Sequence, residues 1–181
     1  MLVIEPSVSR IGGRAPNGYR ARLSHQTKDE ITDAAGMCFT LGTAITTLKG
    51  KRPVENLQQG DKVLTRDRGF QTVLGSGRRE LSKGLLERNP DLTPVRIKAG
   101  ALGPHLPERD LVVSPKHRLL TTNKTLLADL ANSEGLTEAR TLLGRPGIET
   151  ARVAAVSYID LLFEQHEVVL SENTWIESFH S

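Results

Sequence analysis

The chain has 181 residues, of which 38% are hydrophobic, and its 24 basic and 21 acidic residues leave a net charge of +3. This length suits one domain of ordinary size with a tail, and the hydrophobic share can build a core in the longer part. The single cysteine excludes an intramolecular disulfide and a thiolate zinc cluster.

Charge and aromatic content argue against nucleic-acid binding. Residues of both signs are interspersed, and aromatic residues make up only 4% of the chain. A surface that binds single strands needs stacking rings beside its cations. We therefore interpret the adjacent pair Arg78-Arg79 as solvated surface.

The sequence also lacks the signals of membrane insertion, secretion and metal binding. No stretch approaches the roughly 20 apolar residues that span a bilayer, and the N-terminus has neither a basic start nor a sufficient apolar run for a secretory signal. We expect no membrane association, a monomer, and a location in the cytoplasm or outside the cell after non-classical export. The five histidines and the cysteine show no close zinc spacing, so we predict no metal and no cofactor.

Residues 1–37 are predicted to form a flexible N-terminal arm. The arm contains Pro6, Pro16, several glycines and many polar residues, and its apolar residues are too scattered to form a helical or alternating stripe. A helical turn or two ending at Gly36 is expected within 28–35.

From Cys38 onward, short β-type segments separated by Gly, Asp and Asn turns predict a mainly β, antiparallel domain over residues 38–181. The Glu172-Asn173 pair is typical of a tight turn between strands. The remaining segments, 75–93 and 126–143, are predicted as a long loop with a helical turn at 85–88 and as one or two short helices. The strands are expected at 44–48, 52–57, 62–65, 70–74, 94–99, 110–114, 150–163, 166–170 and 174–176.

Three blocks occur in order along this region and together resemble the Hint domain, the module shared by hedgehog autoprocessing proteins and inteins. Residues 109–120 are similar to the block of a bacterial Hint subgroup. The resemblance implies a compact, horseshoe-like antiparallel β-fold whose two ends converge near Cys38. The blocks are Cys38-Phe39-Thr40-Leu41-Gly42-Thr43 with residues 52–64, Ser114-Pro115-Lys116-His117, and residues 158–171.

A cysteine at the first residue of a domain can attack the carbonyl of its own upstream peptide bond, here Met37-Cys38, and convert the amide into a thioester. Alone, such a cysteine is more often a small buried hydrophobe. The Hint resemblance implies that Cys38 is the nucleophile and that His117 delivers a proton to the leaving nitrogen. It also implies that Ser114, which stands where the family has threonine, orients the scissile peptide. On this basis Ser114→Ala should cost less activity than His117→Ala.

Other polar residues of the blocks keep two interpretations each. His166 can help the second step or activate the thiol, or it can simply bond a strand end, and Asp160 is equally open between a catalytic and a structural role. Asp110 can orient His117 or cap a turn. His25, His105 and His180 are expected to be solvated, and Trp175 to serve packing.

We therefore expect an autoprocessing domain, whose substrate is its own N-terminal segment and whose thioester is resolved by water or a small thiol or amine. Splicing inteins usually end in His-Asn, and Ser181 cannot cyclise as asparagine does, so cleavage without splicing is expected. Two alternatives stay open. One is an inert Hint-fold interaction module of a larger system, and the other is a Cys-His hydrolase acting in trans, although the helix-opening context of such enzymes is missing around Cys38.

Overall fold

A computed structural model describes residues 36–121 and 135–178 of the chain. The predictions made for the arm before Gly36, for helices within 126–134, and for His25, His180 and Ser181 fall outside these ranges. No helix in the described ranges is long and apolar enough to cross a bilayer.

Short antiparallel strands dominate the described residues, which confirms the mainly β prediction. The one α-helix among them is Lys83–Arg88 (α1), and short 3-10 helices lie at Val54–Asn56, Pro90–Leu92 and Ala139–Leu142. The strands are Phe39–Thr40 (β1), Ala44–Thr47 (β2), Gly50–Pro53 (β3), Lys62–Thr65 (β4), Gly69–Thr72 (β5), Gly75–Leu81 (β6), Val95–Ile97 (β7), Leu111–Val113 (β8), Arg118–Thr121 (β9), Gly135–Glu138 (β10), Ile148–Thr150 (β11), Val156–Leu162 (β12), Val168–Ser171 (β13) and Thr174–Glu177 (β14).

The strands form two sheets. One has the order β11-β7-β8-β1-β12-β6, and the other has the order β10-β9-β14-β13-β2-β4-β5 with β3 also paired to β2. The first strand of the described chain, β1, therefore lies inside its sheet, between β8 and β12. Segments far apart in the sequence meet around the residue that precedes it, Cys38.

Two apolar clusters form the core. The larger one joins the two sheets, with Phe39, Val113 and Ile159 from the first and Ile45 and Ile176 from the second. Burial of such side chains is the main force holding the sheets together. The smaller cluster lies beside α1 and contains Cys38 with Leu81, Leu86, Leu92, Val156 and Tyr158.

The hairpin of β13 and β14 turns at the predicted pair. Ser171 is opposite Thr174, so Glu172 and Asn173 form a two-residue loop, with φ of 46° and 62°. Positive φ at both central residues is typical of the type I′ turn, whose twist matches that of the flanking strands.

The prediction of a long loop over 75–93 is wrong for its first part. Residues 75–81 form β6, and each of them pairs with β12, from Leu81 opposite Val156 to Gly75 opposite Leu162. Glycines and charged residues give this segment a low intrinsic strand preference, but the ladder to a buried neighbour outweighs it. The helical turn expected at 85–88 lies within α1.

Of the described end of 126–143, where short helices are predicted, residues 135–138 are a strand and only residues 139–142 are helical. Gly135–Glu138 forms β10, which pairs with β9 from Gly135 opposite Thr121 to Glu138 opposite Arg118. A 3-10 helix, Ala139–Leu142, follows it and buries Ala139 and Leu142. Pairing at the sheet edge satisfies the backbone of a segment whose pattern alone suits either structure.

Candidate active site

The register of the first sheet determines what surrounds Cys38. Phe39 of β1 is opposite Val113 on one side and Ile159 on the other. One residue earlier, the antiparallel register puts Cys38 between Ser114 and Asp160. The amide of Ser114 donates to the Cys38 carbonyl over 3.0 Å, which continues the ladder by one position.

Ser114 bridges the two sides of Met37. Its Oγ accepts a hydrogen bond from the Cys38 amide nitrogen over 3.0 Å and donates to the Gly36 carbonyl oxygen. The Ser114 side chain is fully buried, so water does not compete for these bonds. The nitrogen of the Met37-Cys38 bond is thus in direct contact with a hydroxyl group.

His117 lies on the other side of Cys38, with Nδ1 2.8 Å from the Cys38 carbonyl oxygen and Nε2 2.7 Å from the Glu177 carbonyl oxygen. Phe39 packs edge-on against the ring, with centroids 4.6 Å apart. Burial lowers the pKa of His117 to about 4, although both carbonyl contacts act in the opposite direction. A neutral ring can donate to only one of the two carbonyls. In this arrangement the ring holds the Cys38 carbonyl rather than the amide nitrogen.

The Cys38 thiol is completely buried in the smaller apolar cluster. Burial, and then the negative charge of Asp160, raise the pKa of the thiol to about 12, and the positive charge of Arg79 opposes them. A thiol of this pKa is ionised in only about one molecule in 10⁵ at neutral pH. Attack by Cys38 therefore requires a group that removes the proton.

Asp160 and Arg79 form an ion pair beside the thiol. Arg79 NH1 lies 3.1 Å from Asp160 Oδ1 and 3.9 Å from Cys38 Sγ. Asp160 is opposite Gly77 in the ladder, and a Cβ atom added to Gly77 would lie 2.5 Å from Asp160 Oδ1. The carboxylate thus occupies space that any side chain at Gly77 would fill.

A family model described as the Hint domain matches residues 37–181. The chain belongs to the Hint domain family.

Solved inteins and intein-like domains are similar to this Hint domain at low identity. The bacterial intein-like domain from Clostridium thermocellum is 18% identical, with a TM-score of 0.49, and the match covers 79% of this chain and 99% of that one. The gp41-1 intein is 15% identical, with a TM-score of 0.44 over 78% of this chain and 98% of its own. A search of curated proteins finds no significant match.

His166 contacts Glu177 in this Hint domain. Its Nε2 is 2.7 Å from Glu177 Oε1, to which Arg118 also donates over 2.9 Å. The Glu177 backbone carbonyl contacts His117, so His166 is linked to Cys38 through Glu177 and His117. Glu177 thus contacts the exposed His166 through its carboxylate and the buried His117 through its backbone carbonyl.

Asp110 caps a turn instead of orienting His117. Its carboxylate accepts a hydrogen bond from the Ala99 amide over 2.9 Å and another from Arg96 Nε over 2.9 Å. In the two described ranges, no group of three or more His, Cys, Asp or Glu residues is arranged to hold a metal ion.

Two residues of this geometry escape sequence reasoning. The sequence predicts Arg79 to be solvated surface and Gly77 to lie in a loop. The alternation along β6, in which residues 76, 78 and 80 are exposed and 75, 77 and 79 are partly covered, would have distinguished Arg79 from Arg78. That signal is readable only once the segment is recognised as a strand.

Proposed function

We propose that this Hint domain cleaves its own Met37-Cys38 peptide bond by an N-to-S acyl shift and resolution of the thioester, without splicing. Hint domains act on segments of their own chain.

The observation that carries this proposal is that Cys38 lies in the sheet between Ser114, whose hydroxyl contacts the nitrogen of the Met37-Cys38 peptide, and Asp160. Ser114 Oγ contacts the leaving nitrogen at 3.0 Å. The Asp160 carboxylate and the Cys38 thiol share one guanidinium nitrogen of Arg79, which lies 3.1 Å from Asp160 Oδ1 and 3.9 Å from Cys38 Sγ. A nucleophile, a base and a hydrogen-bonding group at the leaving atom are the parts that acyl transfer needs.

In the first step, Asp160 takes the thiol proton as general base while Sγ adds to the Met37 carbonyl carbon. The C–N bond of the Met37-Cys38 peptide then breaks, and the thiol proton ends on the Cys38 nitrogen. Ser114, already bonded to that nitrogen, is our candidate for passing the proton. His117 contacts the Cys38 carbonyl oxygen and thereby holds the backbone of the nucleophile.

In the second step, water or a small thiol or amine attacks the Met37 thioester. The C–S bond breaks, and Cys38 recovers its thiol at a new N-terminus. With water, the upstream segment ends in a carboxylate at Met37. Each chain reacts once, because the scissile bond does not re-form.

An inert Hint-fold module is the second candidate, and a specific observation favours it. The pKa of about 12 and the complete burial of the Cys38 thiol are also what an unreactive core cysteine shows. The same burial argues against a hydrolase acting in trans, because an external peptide cannot reach a buried thiol.

Incubation of the purified full chain with dithiothreitol or hydroxylamine tests the proposal. Both reagents attack thioesters far faster than amides, so they should accelerate the appearance of a fragment that begins at Cys38, measured by intact mass spectrometry. Cys38→Ala should abolish the fragment. A wild-type chain that stays intact for days with either reagent would support the inert module instead.

A further inference from the structure

Arg79 is placed to act on Cys38 by the ladder between β6 and β12. It is opposite Tyr158, two positions from the Gly77–Asp160 pair, so Arg79 and Asp160 reach the same side of the sheet. NH1 of Arg79 lies 3.9 Å from Cys38 Sγ and 3.1 Å from Asp160 Oδ1. The side chain of Arg79 is 25% exposed and that of Asp160 is 10% exposed. Solvent therefore screens this pair weakly compared with a surface pair.

The neighbouring Arg78 provides an internal contrast. Its guanidinium pairs with Glu80 over 3.1 Å and donates to Ser157 Oγ over 3.2 Å. The side chains of Arg78 and Glu80 are 47% and 64% exposed. Arg78 thus has the same charge and nearly the same position in the sequence as Arg79, but it faces solvent and contacts Glu80 and Ser157.

We propose that Arg79 is a further functional residue of the thiol site, whose guanidinium exchanges its ion-pair partner from the Asp160 carboxylate to the Cys38 thiolate as the proton moves. This inference rests on the proposed function and deepens it. It assigns to β6, which carries no family block, a direct part in forming the nucleophile.

The physical reason is the conservation of charge in a buried cluster. Before the proton moves, the cluster holds a cation, a carboxylate and a neutral thiol. Afterwards it holds the same cation, a neutral carboxyl and a thiolate, so the net charge is unchanged. Moving one negative charge between two positions beside a fixed cation avoids creating an unpaired buried ion, which is the costly event in a protein interior.

Without Arg79, proton transfer would leave the thiolate in an apolar cluster with no opposite charge in contact. An opposite charge within about 4–6 Å changes a pKa by roughly 1–3 units. Removal of the guanidinium should therefore reduce the thiolate fraction at a given pH by tenfold or more.

The test compares Arg79→Gln with Arg78→Gln in the full chain, with Arg79→Lys as the conservative variant. The rate of Cys38 modification by methyl methanethiosulfonate is measured between roughly pH 6 and 9, where the rate follows the thiolate fraction. Because the chain has one cysteine, mass spectrometry assigns every adduct to Cys38. Circular dichroism verifies the fold, and cleavage at Cys38 is followed in parallel.

We expect Arg79→Gln to react at least tenfold more slowly than Arg78→Gln, and Arg79→Lys to recover part of the loss. Loss of a large side chain can only open access to the thiol, so slower reaction reports the lost charge. Equal or faster reaction of Arg79→Gln would overturn the inference, as would a thiol that reacts in no variant. Slower modification in a chain that never cleaves would overturn the proposed function and leave the role of Arg79 standing. Cleavage together with equal modification rates in Arg79→Gln and Arg78→Gln would overturn the role of Arg79 and leave the proposed function standing.

Discussion

The hydroxyl of Ser114 accepts the amide hydrogen of Cys38 over 3.0 Å, whereas His117 contacts the carbonyl oxygen of the same residue. In the proposed cleavage, Ser114 is therefore the group that contacts the leaving nitrogen at the start of the reaction. To donate a proton to that nitrogen, His117 would have to move and become protonated, whereas Ser114 would have to turn its hydroxyl hydrogen away from the Gly36 carbonyl oxygen.

Ser114→Ala should slow cleavage by roughly 10²-fold or more, the usual contribution of a positioned proton-transfer group. The sequence predicts a smaller loss of activity for Ser114→Ala than for His117→Ala, and the contact of Ser114 with the nitrogen predicts the opposite order. Ser114→Thr keeps the hydroxyl and should retain most of the rate, and Ser76→Ala, at an exposed position of β6, is the control. Fragment formation is measured by gel densitometry. Wild-type rates in Ser114→Ala would exclude a role at the nitrogen.

Asp160→Asn should change the dependence of cleavage on pH. With a general base beside the thiol, the wild type need not wait for a free thiolate, so its rate should depend less on pH than the rate of the variant. In the variant the reaction must wait for a free thiolate, so its rate should be lower and rise about tenfold per pH unit. The measurement is the initial rate of fragment formation at each pH. Parallel profiles for the two chains would remove Asp160 from the role of base.

Gly77→Ala should impair cleavage by displacing the Asp160 carboxylate, because the new Cβ would lie 2.5 Å from Oδ1. A misplacement of about 1 Å in a reacting group can cost roughly 10²-fold in rate. Gly75→Ala is the matched control, since it lies on the same strand and its Cβ would meet nothing within 4 Å. Similar rates for the two variants would show that the position of Asp160 tolerates the extra methyl group.

His117 should make the fold sensitive to acid. The folded chain keeps His117 neutral down to a pKa of about 4, whereas the unfolded chain binds the proton near 6.5. Between these values the unfolded state holds more protons, so stability falls as pH decreases, by about 3 kcal/mol in total. Urea unfolding at a series of pH values measures the free energy of unfolding of the wild type and of His117→Gln. The difference between the two chains isolates His117, because the carboxylates titrate in both. A constant difference across this range would contradict the burial argument.

His166→Ala should separate the two steps of the reaction. If His166 acts through Glu177 on the second step, the variant should still form a thioester that hydroxylamine traps, while spontaneous cleavage in buffer falls. Loss of trapping as well would assign His166 to the first step. His105→Ala is the control, because His105 lies outside the three blocks. Unchanged cleavage with and without hydroxylamine would leave His166 a structural partner of Glu177.

The sequence is informative where local pattern and chemistry coincide. Strand β4 and the Glu172-Asn173 turn follow directly from alternation and turn chemistry. Ser114 and His117, three residues apart in one block, both contact Cys38. These features depend on short segments, so a short segment of sequence is enough to predict them.

The contribution of β6 could not be predicted because it depends on pairing between distant segments. Gly77 and Arg79 acquire their positions from a register with β12, some 80 residues away. The glycines and polar residues of 75–81 by themselves predict a loop, and it is the pairing with β12 that holds them in a strand. The same holds for the atom that Ser114 contacts, since nothing in the spacing of Ser114 and His117 says which of them meets the nitrogen.

Because β1 lies between β8 and β12, the site around Cys38 can assemble only after β12 has been synthesised. The bond before Cys38 is synthesised first, but Asp160 leaves the ribosome 122 residues later (160 − 38). At about 5–20 residues per second, this delay is roughly 6 to 25 s. During that interval the segment upstream of Cys38 is joined to a domain that has no assembled site. In the proposed reaction, a stalled or truncated translation product would therefore keep its upstream segment attached, and release of the segment would report that synthesis has passed β12.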